Sequence, residues 1–172
     1  MKEPRAMALA TLSATGEVHN RIVLLKQIVP EGLIFFSNYH SSKGQDLAAR
    51  PQVEALFYWD HLQRQVRVGG AVEKTSRKIS EDYWNSRARL SQLSSFVSHQ
   101  SAPVPDRDVM EEALTAADQR FQGQPIPCPP HWGGYLIRPE RMELWMGKEG
   151  RFHDRFLYRK IGSGWTSTRL FP

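Results

Sequence analysis

A chain of 172 residues with 40% apolar and 24% charged side chains can bury a core without staples, and its single cysteine, Cys128, excludes an internal disulfide. The formal charge of +5 is spread along the chain with no dense basic run, which argues against a nucleic-acid surface and for either a small anionic ligand or a merely solvated basic surface. No apolar run approaches the ~20 residues of a membrane span and the first residues carry no apolar leader, so the expectation is one cytoplasmic domain, 1–172, binding neither nucleic acid nor membrane.

The first third reads as strands. Ala6 to Leu12 is a small apolar run closed by Ala14-Thr15-Gly16, Val18 to Lys26 follows, and Pro30-Glu31-Gly32 turns the chain into Leu33 to Ser37. Ser41 stands where it can cap a helix that runs to Ala49 and stops before Pro51. Val53 to Trp59 and Gln63 to Glu73 form a hairpin across Asp60-His61-Leu62, with Gln65, Arg67 and Gly69 alternating with Val66 and Val68. Helices are expected over Arg77 to Arg87, around Ser91 to Val97, and after Asp106, where Val109, Ala113, Ala117 and Phe121 recur at helical spacing.

The proline-rich stretch from Gln122 to Pro130 is a rigid connector, and Cys128 within it is a bland thiol. Strands return at Gly134 to Met146, Phe152 to Lys160 and Trp165 to Leu170, the last two joined by Gly162-Ser163-Gly164. Seven or eight strands with few helices between them predict a mainly β fold, an antiparallel barrel with flanking helices.

Several chemistries lack their motifs. There is no G-x-G-x-x-G, no phosphate loop ending in G-K-[ST], no H-E-x-x-H, no C-x-x-C and no G-x-S-x-G, and the histidines are too scattered to promise a metal site. Arg21 and Lys26 bracket a strand that could serve a flat polar ring carrying a phosphate, or could be ordinary snorkelling end charges. Ser41-Ser42-Lys43 opens a helix, where free amides and an ammonium suit a phosphate as well as they suit plain capping. Arg151, His153 and Arg155 would share one face of a strand near Trp145, which is either an anion-binding wall or a surface charge ladder.

Taken in order, Arg21-Ile-Val-Leu-Leu-Lys26, Phe36-Ser37-Asn38, Ser41-Ser42-Lys43, Arg64-Gln65-Val66, Ser86-Arg87, Ser91-Gln92, Val97-Ser98-His99-Gln100-Ser101, Trp132-Gly133-Gly134, Glu143-Leu144-Trp145, Arg151-Phe152-His153-Asp154-Arg155 and the final Arg169-Leu170-Phe171-Pro172 resemble the pyridoxine/pyridoxamine 5′-phosphate oxidases from Glu3 to the last residue. The resemblance implies an FMN-binding split β-barrel working as a homodimer with FMN at the subunit interface. It implies oxidation of a phosphorylated B6 vitamer to pyridoxal 5′-phosphate, with hydride transfer to FMN and reoxidation by molecular oxygen.

By position, Arg21 and Lys43 would bind the FMN phosphate with Ser42 close by, and Ile22, Val23, Leu24, Lys26, Phe36, Ser37 and Gln65 would line the cofactor. Gln100, Ser101, Trp145 and Arg155 would complete that site. Lys26, Tyr83, Arg87 and Ser91 would grip the substrate phosphate, while Arg151 and His153 would flank the ring at the reacting end.

The chain departs from the family pattern in places. Ser42 stands where an arginine is common, Asn85 and Ala88 replace a histidine and a proline around Ser86-Arg87, and Met146 replaces a glutamine. Family members carry a further segment ahead of Glu3-Pro4, part of which covers the substrate, so either the sequence is trimmed at its start or the site is more open. Two rival readings follow: a related flavin oxidase of the same fold, such as one of phenazine biosynthesis, or a protein that holds FMN or pyridoxal phosphate without turnover.

Overall fold

The computed structural model describes residues Glu3–Pro172. Among the described residues nine strands form one sheet: β1 (Ala6–Leu12), β2 (Val18–Leu24), β3 (Gln27–Val29), β4 (Gly32–Asn38), β5 (Gln52–Trp59), β6 (Arg64–Lys74), β7 (Trp132–Met146), β8 (Asp154–Ile161) and β9 (Gly164–Leu170). The helices are α1 (Ser42–Ala49), α2 (Arg77–Asn85), α3 (Arg89–Val97) and α4 (Arg107–Arg120). The strand order is β2-β1-β5-β6-β7-β4-β3, with β8 on β7 and β9 on β8. The mainly β composition with helices beside the sheet is what the strand pattern predicts. Among the described residues no helix is long and apolar enough to cross a membrane.

The chain packs as two compact units. The first comprises the residues up to Phe35, Asp46–Glu73 and Tyr135–Pro172. Its antiparallel ladders pair Ala6 with Leu24 through Leu12 with Val18, and Gln52 with Ala71 through Trp59 with Arg64. Strand β1 is a strict alternation in which Met7, Leu9 and Thr11 point inward and are almost fully buried. They share the interior with Ile34, Phe35, Ala55, Phe57, Val68 and Ile137, each large side chain contributing about 1.5–3 kcal/mol when withdrawn from water. Gly32 is obligatory at its position. Its φ is +154°, and a Cβ there would lie 1.9 Å from the Ile137 carbonyl oxygen.

Two boundaries in this unit differ from the sequence expectation for identifiable reasons. The strand from Val18 was expected to reach Lys26 but ends at Leu24, because the chain changes partner: the Leu25 amide donates to Arg5 O and the Lys26 amide to Ile34 O. The strand expected from Phe152 begins at Asp154, after a single 3-10 turn over Glu149–Arg151 that contains Gly150 at φ 64°.

The second unit comprises Phe36–Gln45 and Lys74–Gly134. Its core gathers Trp84, Leu93, Ala117, Phe121, Ile126 and Trp132, with Phe36, Tyr83, Phe96, Leu114 and Cys128 packed against them. Asp106 caps α4 by accepting the Val109 amide, as its place in the sequence suggests. Of the apolar stripe on that helix, Ala117 and Phe121 enter the core but Val109 is 45% exposed, and Leu114 takes the inward place instead. Helix α2 stops at Asn85, short of the expected Arg87, where Ser86 folds its hydroxyl back onto Tyr83 O at 2.7 Å.

Candidate functional site

In the second unit the start of α1 is built around the fully buried Ser41. Its hydroxyl donates to Asn38 O at 2.7 Å and accepts the Gly44 amide and the Lys43 ammonium, both at 3.3 Å. Gly44 has no room for a side chain, since a Cβ would stand 2.2 Å from Tyr39 O. The buried Lys43 also donates to Gln100 Oε1 at 3.2 Å, and that same oxygen accepts the Ser37 hydroxyl at 3.2 Å. Three expected cofactor residues, distant in sequence, therefore meet on one amide oxygen.

Beside them opens a cleft of about 450 Å³ lined by Asn38, His40, Ser42, Gln45, His99, Gln100, Ser101, Ala102 and His131. Ser101 holds a left-handed backbone at φ 73°, a conformation rare outside glycine that clusters where function constrains the chain. Burial lowers the pKa of the His131 imidazole, and positive charge on His40 and His99 acts in the same direction.

The same unit holds an aromatic stack. The Phe36 and Tyr83 ring centroids lie 4.0 Å apart, Tyr83 is nearly parallel to Trp132 at 6.2 Å, and Trp84 meets Trp132 edge-on at 4.9 Å. The Arg87 guanidinium lies over Trp132 at 4.8 Å and Trp84 at 5.2 Å. Its Nη2 donates to Ser95 Oγ at 2.9 Å, whereas its Nη1 is buried without a hydrogen-bond partner. Among the described residues no carboxylate pairs with it, and burial holds its pKa below the ordinary arginine value. Ser91, expected beside Arg87, is exposed near the start of α3.

In the first unit the expected residues are held by carboxylates. Arg21 donates through Nη1 to Thr11 Oγ1 at 2.6 Å and Leu9 O at 3.1 Å, and its Nη2 lies 3.4 Å from Asp46 Oδ2. Asp46 also accepts the Thr11 hydroxyl at 2.6 Å and lies 3.0 Å from His19 Nδ1. Burial alone would raise the Asp46 pKa, but the bonds from Thr11 and His19 and the charges of His19 and Arg21 bring it below the usual carboxylate value.

Arg155 donates through Nε to Glu143 at 2.9 Å and through Nη1 to Phe171 O at 3.0 Å. The buried Glu143 accepts Arg67 on its other oxygen at 3.2 Å, and Arg67 and Arg141 both reach Glu54. Cross-strand register sets Trp145 opposite Arg155, and the Trp145 ring lies 4.7 Å from that of His153.

Arg151 and His153 do not share a strand face with Arg155, contrary to the period-2 expectation. Arg151 sits in the 3-10 turn at φ 61°, exposed and without a side-chain hydrogen bond or ion pair to the described residues. The Lys148 amide donates to His153 Nδ1 at 3.1 Å, so in the neutral ring the proton resides on Nε2. Ile22 is 66% exposed, Val23, Leu24 and Lys26 are half-buried, and Gln65 is half-buried opposite Tyr58.

Sequence reasoning missed the residues that hold these side chains. Glu143 had a signal, a carboxylate two positions from Trp145 and so on the same strand face. Asp46 had one too, one helical turn after Lys43. Ser95 had none, because its partner Arg87 lies across a helix boundary. Among the described residues no His, Cys, Asp and Glu group could hold a metal.

The sheet and its flanking helices define a split-barrel protein, and comparison with known proteins narrows the class. Residues 1–121 match the family model described as pyridoxamine 5′-phosphate oxidase, and residues 132–172 match the pyridoxine 5′-phosphate oxidase C-terminal dimerisation region. The chain is 48% identical to a pyridoxine/pyridoxamine 5′-phosphate oxidase of Polynucleobacter asymbioticus, over 99% of this chain and 80% of that protein. It is 46% identical to one of Rubrobacter xylanophilus, over 99% of this chain and 78% of that protein. Among solved structures, PhzG from Burkholderia lata in complex with tetrahydrophenazine-1-carboxylic acid superposes with a TM-score of 0.94 at 29% identity, covering 98% of this chain and 83% of that one. The chain belongs to the pyridoxine/pyridoxamine 5′-phosphate oxidase family.

Proposed function

We propose that this chain uses FMN to oxidise pyridoxamine 5′-phosphate or pyridoxine 5′-phosphate to pyridoxal 5′-phosphate, with molecular oxygen as final acceptor and hydrogen peroxide as by-product. It works as a homodimer with FMN at the subunit interface. The observation that carries the reading is Arg87, a half-buried guanidinium with one orphan nitrogen and no carboxylate partner, in a chain of this family. A buried donor left without an acceptor is unfavourable until a ligand completes it, and a substrate phosphate oxygen is such an acceptor.

The residues fit the cofactor as well. Lys43, Ser37 and Gln100 form one buried hydrogen-bonded cluster, and Ser42 and Ser101 line the cleft beside it. When bound, FMN supplies the hydride acceptor and the reaction with oxygen, so the protein has mainly to hold and orient. In the second unit Lys43 holds the cofactor phosphate with Ser42, and Phe36, Ser37, Gln100 and Ser101 line the cofactor. In the first unit Arg21, fixed by Asp46 and Thr11, serves the phosphate, while Ile22, Val23, Leu24, Gln65, Trp145 and Arg155 serve the rings. Tyr83, Arg87, Ser91 and Lys26 grip the substrate phosphate. Arg151 and His153 serve the substrate ring, with His153 Nε2 carrying the proton it can donate because Nδ1 already accepts the Lys148 amide.

The likeness to PhzG supports a second reading, an oxidase of the same fold acting on a phenazine precursor. The two part on substrate. Purified protein supplied with FMN and pyridoxamine 5′-phosphate in air should form pyridoxal 5′-phosphate and peroxide in equal amounts. A flavin-loaded protein that forms neither, yet consumes oxygen with tetrahydrophenazine-1-carboxylic acid, would establish the second.

A further inference from the structure

We infer that Ser95 is a positioning residue for Arg87, orienting the guanidinium without neutralising it so that its full charge is left for a phosphate ester. The inference rests on the proposed role of Arg87. Three observations carry it.

Arg87 is half-buried and spread over two indoles, Trp84 and Trp132. Aromatic faces attract a cation but leave its rotation about their normals loosely determined. Some directional bond must fix which nitrogen points where, and the bond present is Nη2 to Ser95 Oγ at 2.9 Å. Finally, Nη1 is buried and unsatisfied, as a donor reserved for a ligand would be.

The choice of a hydroxyl has a physical consequence. Every other anchored arginine described above, Arg21, Arg67, Arg141 and Arg155, is tied to a carboxylate. A carboxylate beside Arg87 would cancel most of the attraction for an incoming dianion, and the ligand would have to displace it. A serine accepts one hydrogen bond and contributes no charge. Ser95 lies two turns along α3 from Arg89, so the helix rigidly presents it to the Arg87 side chain arriving from the end of α2.

The test is equilibrium binding of pyridoxal 5′-phosphate and of pyridoxal to the FMN-loaded protein, read by tryptophan fluorescence. The variants are Ser95→Ala, Ser95→Thr and Ser95→Asp, with flavin spectrum and melting temperature as folding controls. Loss of one charge-assisted bond predicts about tenfold weaker pyridoxal 5′-phosphate binding in Ser95→Ala, with pyridoxal binding unchanged. Ser95→Thr should restore it. Ser95→Asp should weaken it by more than about 100-fold without lowering the melting temperature, because the new ion pair stabilises the fold while neutralising the site.

Equal affinity for pyridoxal 5′-phosphate in the wild type, Ser95→Ala and Ser95→Asp would overturn the inference. A wild-type protein that shows the expected binding series but never oxidises pyridoxamine 5′-phosphate would refute the oxidase reading and leave the role of Ser95 standing. Turnover in all variants with unchanged KM would do the reverse.

Discussion

The two units treat partly buried positive charge in opposite ways. In the first, Arg21 is matched by Asp46, and Arg155, Arg67 and Arg141 are threaded through Glu143 and Glu54 into a ladder across four strands. In the second, Arg87 is held by two indoles and a serine. A cation matched by a carboxylate is oriented and partly neutralised, so it acts as a positioned donor with less pull on a further anion. A cation held only by aromatic faces and a hydroxyl keeps its charge and asks for an anion. The difference sets how strongly each arginine attracts an incoming anion.

The sharpest break of this comparison is Arg87→Ala. If Arg87 is the phosphate anchor, pyridoxal 5′-phosphate should bind on the order of 100- to 1000-fold more weakly, while the melting temperature stays level or rises. Fluorescence titration and a thermal melt read both quantities. A matched arginine should behave the other way. Glu143→Ala leaves Arg67 and Arg155 facing each other without their common acceptor, and about 3 kcal/mol of stability should be lost. Glu143→Gln should lose less, and FMN affinity should fall in both. Denaturant unfolding of the apo protein separates the stability effect from the cofactor effect.

Asp46 provides a pH test. Its folded pKa lies below the unfolded carboxylate value of about 3.9. Its contribution is therefore fully present above that value and is lost as pH falls through the lower folded pKa. Melting temperatures measured from pH 6 to pH 3 should fall less steeply in Asp46→Asn than in the wild type. The smallest effect concerns backbone strain: Ser101→Gly relieves the left-handed conformation at φ 73° and should stabilise by no more than about 1 kcal/mol. A larger loss of FMN affinity in the same variant would mark the serine hydroxyl as the reason the strain persists.

Much of the architecture was legible in the sequence because its causes are local. The apolar run Ala6–Leu12, the helix start after Asp106 and the Gly162 turn each follow from a few neighbouring residues. The switch of partner at Leu25 was not legible, since it depends on Arg5 and Ile34, which only the fold brings near. Nor was the turn that takes Arg151 off the strand face, because Gly150 is equally at home in a bulge or a loop. Among site residues, the ordered motifs pointed to Lys43, Gln100 and Ser37, which do meet. Their supports, Glu143, Asp46 and Ser95, are ordinary residues at ordinary spacings, and their roles come from pairing across strands or helix ends that no short motif encodes.

The central claim is that this chain carries flavin and reduces it with a phosphorylated B6 vitamer. The most direct test is the absorption spectrum of the FMN-loaded protein, recorded before and after anaerobic addition of pyridoxamine 5′-phosphate. The account predicts flavin bands that bleach, return on admission of air, and leave pyridoxal 5′-phosphate behind. Bands that stay unbleached, or a protein that takes up no FMN at all, would contradict it.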